Sequence, residues 1–334
     1  MSEIETEKYY SRILPILDMK SILQESEEFR PYLNSAVTPV HLTKNKHINH
    51  LKEFKNQTSK LNFYPLSCKE NCEGNYDKYL EITLSHIAQM KKLKFDYALE
   101  DQNIHKNLPN ISIFCKKKIL LLDLDETLVH ADFEGEYEND KNIKYDAIIK
   151  FISHQNDENE INEKKLRLPD IENEEITVGI FIRNGVYEFL SEVSKYFDVG
   201  IFTASVKEYA DAVINFLDPK KKLIKFRLYR NNCIRFNDSF SVKDLRILKN
   251  IDLKNVILID NSMYSFAAQL TNGVLINSFY DNKDDNELYN VLGYLINFIL
   301  PAEDVREVNE KFFNFQKILN DLIYEASNNK NFLL

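Results

Sequence analysis

The sequence predicts an α/β protein: a parallel sheet flanked by helices, with a small β insertion and helical extensions at both ends. Three observations lead there. From about Lys116 onward, short apolar runs alternate with amphipathic ones, the pattern of repeated βα units. Three of those runs, at 118–122, 198–202 and 256–259, are apolar without alternation, as in strands buried on both faces. Each then ends in polar residues: Asp123 and Asp125, Thr203, and Asp260 with Asn261. The carboxyl ends of parallel strands are where such sheets carry their reactive groups.

Taken in order, residues 1–115 read as a mostly helical extension. Within 79–95, Leu80, Ile82, Leu84, Ile87 and Met90 recur at roughly helical spacing, with lysines towards the end. His47 and His50 precede Cys68 and Cys72, and these ligand types suit zinc. Their order and spacing match no common finger, so solvated histidines and unpaired thiols are the default reading. The extension is expected to pack on the main domain or bind a protein partner. Residues 116–300 form the main domain. Strands are expected at 118–122, 145–151, 176–182, 198–202, 223–229, 256–259 and 274–276, with a polar, aperiodic loop over 152–175.

Asn184 is placed to cap a helix running to Tyr196, with Val186, Phe189, Leu190 and Val193 on its inner face. Ser205 opens the next helix, whose inward residues would be Tyr209, Val213, Phe216 and Leu217. Short helices follow over 242–248, with Lys243 at its start, and over 263–270; a longer one covers 287–300 and stops at Pro301. Residues 301–334 would be one amphipathic helix, carrying Val308, Phe312, Phe313, Phe315 and Ile318, and a polar tail.

Composition narrows the functional classes. The chain has 334 residues, 44% hydrophobic and 28% charged, ordinary for a globular protein with a sizeable core. A net charge of −9 argues against sequence-independent binding to nucleic acid. Only 7 glycines are present and no glycine-rich phosphate loop appears. The 4 cysteines, at 68, 72, 115 and 233, form no disulfide framework, and the acidic start is unlike a secretory or mitochondrial leader. An intracellular protein, nuclear or cytoplasmic, is expected. The apolar stretch 291–300 is too short to span a bilayer.

Carboxylates, a hydroxyl, an amine and an amide gathered at one sheet edge suit phosphoryl transfer. If strand geometry continues past Leu122, Asp123 and Asp125 point to the same side; if the chain bends there, they flank one site. A carboxylate can attack phosphorus and carry the phosphoryl group covalently. Hard oxygen ligands favour Mg²⁺, which Asp123, the Asp125 carbonyl and Asn261 can supply. Lys243 and Thr203 can hold the other phosphate oxygens. Taken singly, Thr203 reads better as a helix cap and Lys243 as a solvated helix residue.

Asp-Leu-Asp-Glu-Thr-Leu at 123–128, Ile-Phe-Thr-Ala-Ser at 201–205, Val-Lys-Asp-Leu at 242–245 and Ile-Leu-Ile-Asp-Asn-Ser at 257–262 resemble the motifs of the haloacid dehalogenase superfamily. More narrowly, they resemble its small C-terminal-domain phosphatases, also called NLI-interacting-factor-like, and the related dullard-type enzymes. Val-His-Ala-Asp-Phe at 129–133, Lys-Glu-Tyr-Ala-Asp at 207–211, Leu-Tyr-Arg-Asn-Asn-Cys at 228–233 and Ser-Phe-Tyr-Asp-Asn at 278–282 extend the likeness over about 116 to 300.

The resemblance implies a Rossmann-like core and a Mg²⁺-dependent phosphoprotein serine/threonine phosphatase. Asp123 would be the nucleophile and Asp125 the general acid and base. Thr203 and Lys243 would bind phosphate. Asp123, Asp125, Asp260 and Asn261 would serve the metal. Asn184 and Met263 stand where the family usually has Pro, and Phe279 where it often has Trp. The run 234–238 is one residue longer than in relatives that select substrate there, and 152–175 enlarges the insertion, so polymerase-tail specificity does not follow. The alternatives are a non-catalytic binding subunit on the same fold, like the import-receptor relatives, and a small-metabolite phosphatase. The retention of Asp123, Asp125, Lys243 and Asp260 together favours catalysis.

Overall fold

A computed structural model of the chain describes residues 83–85, 87–88, 111, 115–133, 144–153, 174–236 and 240–328. His47, His50, Cys68, Cys72 and nearly all of the expected loop 152–175 lie outside them. Of the helix expected over 79–95, the described residues 83–85 and 87–88 are helical, with Leu84 and Ile87 fully buried.

The centre is a five-stranded parallel sheet in the order β10-β9-β1-β5-β6. Its strands are β1 (Ile119–Leu122), β5 (Asp198–Phe202), β6 (Phe226–Leu228), β9 (Val256–Asp260) and β10 (Gly273–Leu275). β1 is central because nothing in it tolerates water: all four residues are buried, and Leu120 to Leu122 completely. Each aliphatic side chain so buried contributes about 1.5–3 kcal/mol. The register places Leu122 beside Ile201 of β5 and Ile259 of β9, so the next residues of all three strands emerge at one edge. The chain runs outward from β1 through β5 and β6, then returns to the other side as β9 and β10. This reversal beside β1 is the switch point where ligands enter such sheets.

Between β1 and β5 the chain builds a three-stranded antiparallel sheet, β2-β4-β3, from β2 (Val129–Asp132), β3 (Ala147–Ser153) and β4 (Glu174–Ile182). A hairpin of β7 (Ile234–Phe236) and β8 (Phe240–Val242) precedes β9. The helices are α1 (Val186–Tyr196), α2 (Lys207–Leu217), α3 (Glu287–Tyr294), α4 (Val305–Phe313) and α5 (Phe315–Asn328).

Several expectations are corrected. Asn184 does not cap α1. Gly185 precedes the helix at φ 81, where a Cβ would come within 2.7 Å of the Tyr289 ring, and Asn184 instead donates to the Asp285 carbonyl. On α2, Phe216 is 41% exposed, while Ala210 and Ile214 join the inner face; Phe216 sits at the rim of the apolar stripe. Of residues 242–248, only Leu245–Ile247 turns helically, as a 3₁₀ turn. The run also includes the end of β8, and the turn is capped by the Asp244 carboxylate accepting from the Arg246 N–H. The α3 backbone loosens into a π-helical turn, Leu295–Ile299, before Pro301. The C-terminal segment is two helices, because Asn314 takes a left-handed φ of 60, a conformation Asn tolerates.

Candidate active site

Past Leu122 the strand stops and the chain bends, so the second of the two geometries open for Asp123 and Asp125 is the one formed. The Asp123 N–H still pairs with the Ile259 carbonyl, at 2.9 Å, and this holds the residue at the sheet edge. A turn then closes through Leu128 N–H to Leu124 O and Glu126 N–H to Val129 O, with Glu126 at φ 55. Asp125 is thereby turned away from Asp123 towards α2.

Asp123 is buried and held by charge. Lys243, directly after β8, donates from Nζ to Asp123 Oδ1 at 2.5 Å and to Asp260 Oδ2 at 2.6 Å. Thr127 Oγ1 donates to Asp123 Oδ2 at 3.0 Å. The Ser262 N–H donates to Asp260 Oδ1 at 2.8 Å. Burial works against the Lys243 charge, yet Asp123 and Asp260 outweigh it and raise the ammonium pKa, so Lys243 stays charged. Burial and then the Asp123 charge raise the Asp260 pKa against the pull of Lys243.

Asp125 is held by hydroxyls. Tyr209, in α2, donates from its phenol to Asp125 Oδ1 at 2.5 Å, and Ser205 Oγ donates to Oδ2 at 2.6 Å. Thr203 Oγ1 lies 3.5 Å from the same Oδ2 and accepts from the Ser205 N–H at 3.0 Å. Burial, then Glu126 and Asp123, push the Asp125 carboxyl up to about 7, while the Ser205 and Tyr209 hydrogen bonds pull it down. A carboxyl in that range can give or take a proton near neutrality. The structure thus brings all six expected residues, Asp123, Asp125, Thr203, Lys243, Asp260 and Asn261, to the ends of β1, β5, β8 and β9.

Ser205, Tyr209 and Arg183 were not singled out from the sequence. The first read as a helix opener and the second as a core residue, and both descriptions hold as well. Arg183 follows β4 and is 1% exposed. Its guanidinium donates to Thr127 O at 3.0 Å, to Asn277 O at 2.8 Å and to both carboxylate oxygens of Asp285 at 2.8 Å. It ties the loop after β1 to the loop after β10. Cys233 lies near Lys243, but burial pushes its thiol up to about 12, so it is no thiolate nucleophile.

The donor set fits a hard divalent cation. Two buried carboxylates, Asp123 and Asp260, share one ammonium, which leaves excess negative charge. Asn261 donates through Nδ2 to Ser278 Oγ at 3.0 Å, which leaves its carbonyl oxygen for a cation. Among the described residues no three His, Cys, Asp or Glu side chains gather into a metal-sized cluster, so backbone and amide oxygens would complete the set.

A parallel α/β sheet with a lysine-bridged pair of aspartates at its switch point defines the class: an α/β domain with a charged site at the carboxyl ends of its strands. The chain belongs to the NLI interacting factor-like phosphatase family, which matches residues 118–306. It is 36% identical over 211 residues to a Dictyostelium discoideum CTD small phosphatase-like protein 2, covering 60% of this chain and 30% of that one. It is 30% identical over 235 residues to CTD nuclear envelope phosphatase 1B of Danio rerio, covering 69% of this chain and 86% of that one. A solved structure of Fcp1, described as an essential RNA polymerase II CTD phosphatase, aligns at a TM-score of 0.38 and 19% identity, over 64% of each chain. The chain therefore spans less than a third of the length of the first of these relatives.

Proposed function

We propose that this chain is a Mg²⁺-dependent protein serine/threonine phosphatase that works through an aspartyl-phosphate. The observation that carries the reading is the pairing of a buried, lysine-held Asp123 with a protonatable Asp125 at one sheet edge. Lys243 and Thr203 take the non-bridging phosphate oxygens and align phosphorus with Asp123. An Asp123 carboxylate oxygen forms a bond to phosphorus as the bond to the serine or threonine oxygen breaks. Asp125 gives its proton to that leaving oxygen. A water then attacks the phosphorus of the aspartyl-phosphate, Asp125 takes the water's proton, and inorganic phosphate departs with Asp123 restored. Mg²⁺, held by Asp123, the Asp125 carbonyl and Asn261, with Asp260 behind them, would neutralise phosphate charge.

Membership of a phosphatase family and the presence of all six residues support this reading over a binding subunit. Relatives are named for the small CTD phosphatases and for the nuclear envelope, which supports an intracellular enzyme, nuclear or cytoplasmic. No described helix is long and apolar enough to cross a membrane. Residues 116–300 are read as the catalytic domain, residues 301–334 as its C-terminal helical cover, and residues 1–115 as an extension that takes a protein partner. The test is a panel of phosphoserine and phosphothreonine peptides set against sugar phosphates, with EDTA and then added Mg²⁺. Hydrolysis of the peptides, lost in EDTA and restored by Mg²⁺, is expected. Turnover of sugar phosphates alone, or full peptide turnover in EDTA, overturns the reading.

A further inference from the structure

Tyr209 does more in this structure than fill the core. Its side chain is 2% exposed and reaches from α2 to the Asp125 carboxyl. Its ring is wedged by Phe133, just after β2, at 5.1 Å, and by Phe151 of β3 at 5.7 Å. The antiparallel insertion therefore fixes the ring, and the ring fixes the direction of the O–H. Ser205 donates to the second oxygen of the same carboxyl and is itself held by the turn at Thr203. Among the described residues no ammonium or guanidinium pairs with Asp125: Lys243 serves Asp123 and Asp260. Hydroxyls are what keep its rotamer, Tyr209 and Ser205 at short range and Thr203 at 3.5 Å.

We propose that Tyr209, seconded by Ser205, is the positioning residue of the acid/base Asp125, and that the insertion acts on catalysis by bracing Tyr209. This rests on the aspartyl-phosphate reading above. Asp125 Oδ2 accepts from Ser205 and, at 3.5 Å, from Thr203, while Oδ1 accepts only from Tyr209 and keeps a further lone pair for the transferred proton. The proton passes from Asp125 to the leaving serine oxygen, and later from water to Asp125; Tyr209 and Ser205 keep their own protons throughout. Losing one donor lets the carboxyl rotate away from the line of transfer, which matters most when the leaving group needs the proton.

The experiment is rapid-quench kinetics on Y209F, S205A and the unsubstituted chain, each with a phosphoserine peptide and with p-nitrophenyl phosphate. Y209F keeps the ring packing and removes only the hydroxyl. In Y209F, phosphoenzyme formation from the peptide should slow about tenfold more than formation from the nitrophenyl ester. Phosphoenzyme hydrolysis should slow equally whichever substrate loaded it, and peptide KM should stay within about twofold, since Tyr209 acts after binding. S205A should show the same pattern and keeps the test decisive if Y209F folds poorly. Equal slowing of both substrates in the first step, or kinetics like the unsubstituted chain in both variants, overturns the positioning role. If the unsubstituted chain yields no acid-trapped, hydroxylamine-labile phosphoenzyme, the underlying reading fails instead, and the inference falls with it.

Discussion

Asp123 and Asp125 sit two positions apart, yet the chain surrounds them with opposite partners. Asp123 faces a buried ammonium and a threonine hydroxyl; Asp125 faces a tyrosine and a serine. The Lys243 ammonium, 2.5 Å from Asp123 Oδ1, sets a full positive charge against that carboxylate, as the proposed nucleophile would require. Hydroxyls stabilise an anion far less than a full charge does, so burial wins at Asp125 and its pKa climbs to about 7. On the proposed mechanism the difference teaches that one residue type can serve as nucleophile and as acid when the fold gives it different neighbours. The local cause is the bend after Leu122, which sends Asp125 towards α2 while Asp123 stays at the sheet edge.

The sharpest way to break the comparison is to exchange the roles by substitution. Asp123→Asn removes the nucleophile and should lower turnover by about 10⁴-fold or more, with no burst from any substrate. Asp125→Asn should cost about 10²–10⁴-fold on phosphoserine peptides. With p-nitrophenyl phosphate it should instead release product in a burst of up to about one equivalent per enzyme and then stall. Nitrophenolate leaves without a proton, but the trapped phosphoenzyme still needs Asp125 to activate water. Rapid-quench traces of the two variants test both expectations. A burst in Asp123→Asn would show that another group is the nucleophile.

A smaller effect falls on stability. Lys243→Met leaves Asp123 and Asp260 buried without their shared cation, which should destabilise the fold by about 3–5 kcal/mol. Urea denaturation in EDTA measures it without metal compensation. The loss should shrink as pH falls, because Asp260, whose pKa burial and the Asp123 charge raise, takes up a proton and removes unpaired charge. No change in the denaturation midpoint would mean that Lys243 is dispensable to the architecture.

Much of this site was legible in the chain because the strands around it are short and wholly apolar. Such runs mark their own ends, so Asp123, Thr203 and Asp260 could be placed from pattern alone. Lys243 was found by its motif but assigned to a helix; the hairpin ahead of it, β7 and β8, has too few residues to show alternation. Ser205 and Tyr209 were hidden for a different reason. A serine before a helix and a tyrosine on its inner face already have complete structural explanations, and nothing in the spacing shows that they reach back to residue 125. Arg183 was hidden likewise, since its partners at Thr127, Asn277 and Asp285 lie 56, 94 and 102 residues away.

A buried carboxyl away from the site provides the control that the two aspartates lack. Glu287 opens α3 beside Arg183 and Asp285, and its Oε2 is buried without a hydrogen-bond partner. Burial pushes its pKa from 4.5 up to about 7; Asp285 adds to the rise, while Arg183 and the Asn277 hydrogen bond oppose it. Arg183 is already engaged on both oxygens of Asp285, so Glu287 receives only part of its charge. The folded chain therefore binds this proton more tightly than the unfolded chain. Stability falls as pH rises from about 4.5 to about 7 and stays lower above that. Glu287→Gln cannot ionise and should escape the fall. Relative to the unsubstituted chain, it should gain up to about 3 kcal/mol between pH 4 and pH 8. Denaturation midpoints of both chains across that range measure the gain, and parallel curves would show that Glu287 ionises in the fold as it does in water. Such curves would also show that burial alone cannot raise a carboxyl here, so the height of the Asp125 pKa would have to come from Glu126 and Asp123 beside it.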